Sequence, residues 1–229
     1  MINPENIKQF YNQNQFPGHY TKESLSYHKD QIKNPYLLLI DQHLTSGSHV
    51  LDLGCGTGLI SNLFASRYQD CQFTGVDFSD AIDYANNYAK LNDITNVTYK
   101  KQDVLQFDSS TQFDIVICQG VLHHIPMHNN AVEKIKLLVK SGGTLIVGLY
   151  HPGGKLLKKI VNIDYKSKIL KIDQELVPYE TSFLCSQVKS MFSPFALVDS
   201  YPKIGLLTAI KSIFNYRNGG LITYVFKKL

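Results

Sequence analysis

One short segment constrains this chain more than any other. His49-Val50-Leu51-Asp52-Leu53 reads as a buried strand and runs straight into Gly54-Cys55-Gly56-Thr57-Gly58. From Leu59 to Tyr68 the pattern turns helical, with Leu59, Ile60, Leu63 and Phe64 on the core face. Alternate glycines between a strand and a helix let the backbone approach a ligand closely, because no Cβ stands in the way. Such a loop lies outside a strand's carboxyl end, where open α/β sheets bind ligands. A dinucleotide fingerprint would put glycines at 54, 56 and 59. Here the third glycine is Gly58, and position 59 is leucine. The loop is GxGxG, which favours a ligand without a pyrophosphate.

Strand and helix patterns then alternate. Strands are expected at 72–77, 97–102, 113–118, 144–150, 195–201 and 221–229, and helices from Ser79 to Leu91, 130–140 and 182–192. Ser79 is read as a helix cap, and Ser141-Gly142-Gly143 as a helix stop. Near-continuous apolar strands alternating with helices argue for a parallel sheet covered on both faces. The expected fold class is α/β: a single doubly wound, mostly parallel sheet of about seven strands, the last one antiparallel. Residues 1–45 read as a helical, aromatic cap, with Pro4 opening a helix to Gln13 and a second helix running from Thr21 toward Leu44, interrupted at Asn34-Pro35. Residues 46–229 form the α/β domain, with an insertion at 151–181.

Composition narrows the class. A chain of 229 residues with 44% hydrophobic and 18% charged residues is an ordinary globular protein, neither disordered nor a coiled coil. Its net charge of +4 is too mild to demand a polyanionic partner. Cys55, Cys71, Cys118 and Cys185 contain no Cys-x-x-Cys pair, so a reducing compartment is expected. The polar N-terminus lacks the apolar region of a secretory signal. No run of about 18 apolar residues occurs, so the expected location is cytoplasmic; the expected state is a monomer or homodimer.

VLDLGCGTG resembles the glycine-rich first motif of class I S-adenosylmethionine-dependent methyltransferases, and the following strand ends keep that family's order and spacing over residues 45–150. The resemblance implies S-adenosyl-L-methionine as cofactor, S-adenosyl-L-homocysteine as its product, and no metal. It places Asp52, Gly54, Cys55, Gly56 and Gly58 at the cofactor. Asp77 follows Gly58 at close to the roughly 20-residue spacing at which an acid meets a ribose. The resemblance gives it that role, with Phe78 and Ile82 against the adenine. The rival reading of Asp77 is a charge complementing a helix N-terminus, and that of Phe78 and Ile82 is core packing. Asp103 and Val104 match the pair that reads the adenine edge, although Asp103 also reads as a solvated turn. Gln119 falls where the family meets the methionine end of the cofactor.

The acceptor is less legible. Gln119-Gly120-Val121-Leu122-His123-His124-Ile125-Pro126 lacks the Asn/Asp-Pro-Pro-aromatic stretch common in methyltransferases of nucleic-acid bases. It resembles small-molecule enzymes instead. His123, His124, Tyr150 and His151 are the candidate catalytic residues, since histidine titrates near neutrality; packed, hydrogen-bonded side chains are the alternative. His124 and His128 stand four apart, but Pro126 between them breaks the helical turn a metal pair needs. Tyr11, Phe16 and Tyr20 either reach the site or pack the cap. Segment 155–171 carries six lysines against Asp164 alone and has apolar residues at helical spacing. It reads as a solvated lid, an acidic-substrate surface, or an RNA or membrane contact. Residues 151–179 and 10–20 are expected to cover the acceptor site.

The leading expectation is methyl transfer to an O, N or C atom of a small molecule. An RNA or protein methyltransferase is the alternative. An NAD-linked oxidoreductase, disfavoured by Leu59, and a non-catalytic binding module are the readings from other classes.

Overall fold

The computed structural model describes residues 3–25, 32–153, 177–204 and 220–229. The basic segment 155–171 and the middle of the 151–181 insertion lie outside them. Before the sheet come α1 (Pro4–Gln13) and α2 (Pro35–Asp41), each with proline in its first turn and an asparagine N-cap, Asn3 and Asn34, accepting from backbone amides. The alternating core follows: β1 (His49–Leu53), α3 (Leu59–Arg67), β2 (Gln72–Asp77), α4 (Ala81–Leu91), β3 (Val97–Lys101) and β4 (Phe113–Gln119). A 3-10 turn, Leu122–His124, leads to α5 (His128–Leu138) and β5 (Val139–Tyr150). The chain closes with α6 (Cys185–Met191), β6 (Ala196–Tyr201) and β7 (Leu221–Lys227).

The seven strands form one sheet in the order β3-β2-β1-β4-β5-β7-β6. The first five are parallel, and β7 runs antiparallel to both β5 and β6. This is the doubly wound, mostly parallel sheet expected from the sequence. β1 sits at the topological switch point, where the chain turns from building toward β3 to building toward β5. One face buries Leu51, Leu53, Val116, Leu145 and Val147 against α5 and α6. The other buries Val50, Ile115, Ile117 and Ile146 against α2, α3 and α4.

Two local expectations are corrected. Ser79 does not cap α4: the N-cap is Asp80, with no side-chain cap bond, and Ser79 instead donates to Asp77. Ser141-Gly142-Gly143 does not stop a helix. α5 ends at Leu138, and these residues already belong to β5. Gly142 N–H donates to Lys228 O and Lys228 N–H to Gly143 O, so pairing with the end of the chain overrides the local turn signal.

Two strand glycines make room for side chains from neighbouring strands. Asp52, Gly75 and Tyr99 lie in register across β1, β2 and β3. With no side chain at Gly75, the Tyr99 ring from the edge strand lies across it; a Cβ there would meet the ring at 2.6 Å and Cys55 Sγ at 3.0 Å. Similarly, Gln119, Gly148 and Thr223 share a row, and the Gln119 side chain passes over Gly148 to donate to Thr223 Oγ1 at 2.7 Å.

Gly75→Ala should therefore destabilise the protein by about 1–3 kcal/mol in urea unfolding, as overpacking does. Combined with Tyr99→Ala, it should cost less than the sum of the two single changes, because the colliding ring is gone. Simple additivity would show that Tyr99 does not occupy the space above Gly75.

Candidate active site

The loop after β1 is shaped by three left-handed glycines, with φ of +72° at Gly54, +53° at Gly56 and +76° at Gly58. These angles favour glycine, which has no Cβ to clash there. Space demands glycine as well. A Cβ on Gly56 would collide with the Phe16 carbonyl, and one on Gly58 would lie 2.6 Å from Ala85 Cβ and 2.7 Å from the Tyr99 hydroxyl. The close approach is to the protein's own atoms.

Every amide of the loop already has a partner. Gly54 and Cys55 N–H both donate to Val76 O (2.7 and 3.1 Å), Thr57 N–H to Phe16 O (3.0 Å) and Gly58 N–H to Cys55 O (2.9 Å). Gly56 N–H donates to Asp77 Oδ2 at 2.8 Å. A phosphate cradle works by aiming such amides at the anion. Here none of the five is left for one, so the geometry disfavours a pyrophosphate independently of Leu59.

Acids supply the polarity instead. Asp77 is 7% exposed, at the end of β2. Its Oδ1 accepts from Ser79 N–H at 2.8 Å and from the Ser79 hydroxyl at 2.6 Å, while Oδ2 accepts from Gly56. Burial raises its pKa, and these donors oppose the shift. A carboxylate offers about four lone-pair positions, so one remains for an incoming hydroxyl, and a second opens if the Ser79 hydroxyl turns away. Gln102 N–H donates to Asp77 O at 2.8 Å and sets the ends of β2 and β3 side by side. There Asp103, half-buried, accepts from Leu105 N–H at 2.8 Å. Val104 and Ile82 are buried, and Phe78 is partly exposed.

Asp52 is placed differently from the other acids. It is 2% exposed and turned toward α3, where the Ser61 hydroxyl donates to its Oδ2 at 2.6 Å. Burial pushes its pKa up to about 7, and the nearby Asp77 charge adds to the shift. Cys55 is buried beneath the loop, and burial raises its thiol pKa well above the ordinary range. Gln119 reaches along the sheet to Thr223; its Oε1 is buried with no hydrogen-bond partner among the described residues.

The histidine candidates meet at the ends of β4 and β5. The His123 and Tyr150 rings lie 3.9 Å apart, and those of His123 and His124 4.2 Å apart. His124 also meets Tyr11 at 5.9 Å, and Tyr11 meets Phe78 at 6.3 Å. Tyr11, on α1, thus spans the crevice from the β2 end to the β4 end. The stretch 179–183 crosses this corner. Thr181 N–H donates to His123 O and Phe183 N–H to Tyr150 O, both at 2.8 Å, and His124 Nδ1 lies 3.1 Å from Tyr179 O. A carbonyl only accepts, so His124 carries a proton on Nδ1. His151 turns the other way: Gly153 N–H donates to its Nδ1 at 3.1 Å, and burial lowers its pKa. His128 opens α5 with its ring 5.0 Å from Phe183.

The N-terminal aromatics also gather here. Phe16 and Gly18 carbonyls accept from Thr57, and the Tyr20 hydroxyl donates to Thr57 O at 2.9 Å. Sequence reasoning missed Thr57, Asn62 and Tyr84 in this contact. The available signal was a threonine between two glycines. A shallow cleft of about 420 Å³, lined by residues including Ser46, Asp114 and Lys140, opens at the opposite, amino-terminal edge of the strands. It lies away from the edge where such sheets bind ligands.

Residues 44–185 match the family model described as a methyltransferase domain. The chain is 35% identical over 143 residues to a ubiquinone biosynthesis O-methyltransferase of Coxiella burnetii, covering 61% of this chain and 55% of that protein. It is 31% identical over 137 residues to (S)-coclaurine N-methyltransferase of Papaver somniferum, covering 59% and 39%. The matched stretch thus spans about half or less of these curated relatives. In structure it resembles the magnesium protoporphyrin IX methyltransferase of Synechocystis solved with bound SAH, with a TM-score of 0.67 at 16% identity, covering 99% of this chain and 100% of that one.

The buried acids predict a pH dependence. An unfolded aspartate titrates near 4, whereas Asp52 in the fold titrates at about 7. Its contribution to stability is complete below the unfolded value and is lost as the pH rises through the folded one. Asp52→Asn should flatten the fall in urea midpoint between about pH 4 and about pH 7, leaving the slope due to Asp77. Equal slopes in variant and wild type would place the titration elsewhere.

Proposed function

The chain belongs to the methyltransferase domain family, and on that premise we propose that it is a class I S-adenosylmethionine-dependent methyltransferase acting on a small molecule. The observation that carries this reading is the carboxyl edge itself: a loop with its amides spent internally, flanked by Asp77 and Asp103 at successive strand ends. Such an edge suits a ligand recognised by hydroxyl and amine donors rather than by anionic oxygens. The relatives' printed activities, O- and N-methylation, support the same class.

The residues fit the cofactor. Asp77 would take the ribose hydroxyls, Asp103 and the Val104 backbone the adenine edge, and Phe78 and Ile82 its faces. Gly54, Cys55, Gly56 and Gly58 would form the floor beneath it, with Asp52 bracing that floor through Ser61. Gln119, whose buried Oε1 has no partner among the described residues, would meet the amino-acid end. When bound, S-adenosylmethionine supplies a methyl group on a sulfonium, already activated for transfer. The protein's task is then to orient the acceptor and, for a hydroxyl or ammonium acceptor, to take its proton.

Among the four candidates, His124 suits that task best. Its Nδ1 proton is directed at Tyr179 O, which leaves the basic lone pair on Nε2 and fixes the ring. His123 is fully buried against Tyr150 and reads as support for that ring. His151 carries its proton on Nε2, the opposite tautomer. Tyr11 supplies a wall opposite His124 and Phe78, with Phe16 and Tyr20 part of the same cover. The described parts of residues 1–45 thus act as a cap on the α/β domain that begins at residue 46, and the 179–183 stretch adds to the cover beside His124. Four free thiols fit a reducing, cytoplasmic setting. Among the described residues no helix is long and apolar enough to cross a membrane.

Calorimetry with S-adenosylmethionine, S-adenosylhomocysteine and NAD tests the reading. The first two should bind with micromolar-scale affinity and NAD should not. Asp77→Ala should weaken binding at least about tenfold, since a hydrogen bond to a charged group is worth roughly 1.5–3 kcal/mol. NAD binding without a response to S-adenosylmethionine would overturn it.

A further inference from the structure

Thr57 sits inside the glycine loop, yet every polar atom it owns faces the N-terminal segment. Its N–H donates to Phe16 O at 3.0 Å, its hydroxyl to Gly18 O at 3.0 Å, and its carbonyl accepts from the Tyr20 hydroxyl at 2.9 Å. The side chain is fully buried. Around this clasp a second layer closes. Asn62 Nδ2 donates to the Tyr20 hydroxyl at 2.8 Å, Tyr20 N–H donates to the Tyr84 hydroxyl at 3.1 Å, and that hydroxyl donates back to Tyr20 O at 2.5 Å. The His19 ring stacks on Tyr84 at 4.1 Å. At the start of the segment, Asp80 N–H donates to Asn12 Oδ1 at 2.8 Å, and Tyr11 bridges Phe78 and His124.

We propose that Thr57 is a positioning residue that clasps residues 16–20 over the cofactor, so that the cofactor leaves only when this clasp opens. The proposal rests on the cofactor reading above. A ligand lying outside the ends of β1, β2 and β4 lies beneath the 10–20 segment, because that segment is anchored beyond β2 at Asp80, on the β1 loop at Thr57 and against His124 beyond β4. Three hydrogen bonds of the clasp converge on one loop residue, and two of them are made by the loop backbone itself. Binding that orders the loop therefore orders the segment carrying Tyr11 and Phe16. The acceptor chamber takes shape with the cofactor in place, which sets the order of binding: cofactor first, acceptor second.

Thr57→Val removes the bond to Gly18 O at nearly constant volume, Thr57→Ser retains it, and Tyr20→Phe removes the bond to Thr57 O from the strap side. Release of labelled S-adenosylhomocysteine, chased with excess unlabelled ligand, should be about three- to tenfold faster in Thr57→Val and in Tyr20→Phe, the kinetic equivalent of one lost hydrogen bond. Thr57→Ser should release at close to the wild-type rate, a rescue that a packing role alone would not give. Hydrogen exchange should show protection lost at 16–20 in Thr57→Val, and kept in Thr57→Ser, while β1 and β4 remain protected in both. Tyr20→Phe covers the case in which Thr57→Val fails to fold. Wild-type release rates in both disrupting variants would overturn the clasp. If wild type binds no S-adenosylhomocysteine, the cofactor reading fails, and unchanged exchange at 16–20 in Thr57→Val would then overturn the clasp on its own.

Discussion

Gly56 N–H donates to Asp77 Oδ2, and this bond joins the loop after β1 to the end of β2. Much else at the carboxyl edge depends on it. The loop can present that amide only because Gly54, Gly56 and Gly58 hold left-handed backbone angles. Asp77 can remain buried because Gly56 and Ser79 supply donors that offset its desolvation. With Asp77 fixed, Gln102 N–H fixes the end of β3 through the Asp77 carbonyl, and Asp103 follows at a set position. The loop, the two acids and the strand ends form one hydrogen-bonded unit.

That unit concentrates negative potential. The Asp77 charge lies close enough to oppose ionisation of Asp52, and both acids lie in a desolvated setting. Such an arrangement costs stability at neutral pH, and retained strain of this kind is typical of functional sites. It also selects among ligands. An anion would meet repulsion from the acids and find no loop amide open to it, whereas a cationic, hydroxyl-rich ligand would relieve both problems. The electrostatics and the hydrogen bonding therefore point to the same ligand class.

The second half of the chain completes the corner in a way that strand alternation alone would not reveal. β7 inserts antiparallel between β5 and β6, and Thr223 on it receives the Gln119 side chain across Gly148. The stretch 179–183 then binds the backbones of His123 and Tyr150 and orients the His124 ring. Three segments distant in sequence, α1, the turn after β4 and the 179–183 stretch, thereby converge on His124.

Local residue pattern was enough to reveal the sheet, the loop and the acids. Apolar strands alternating with helices admit few arrangements, and glycines at 54, 56 and 58 reveal left-handed positions because other residues pay a steric penalty there. Asp77 and Asp103 were legible because one ends a strand and the other follows a strand end by two residues, positions set by local pattern. The reach of β5 back to Val139 and the true partner of Ser79 were not, since each is decided by bonds to residues far from the local signal, Lys228 in one case and a buried carboxylate in the other. Only the tertiary structure turned Asp52 inward to Ser61, directed Thr57 at the strap and gave His124 and His151 opposite tautomers. The physical reason is common to all three. A side chain's residue type fixes which bonds it can make, but its partner is chosen by what the folded chain brings within about 3 Å.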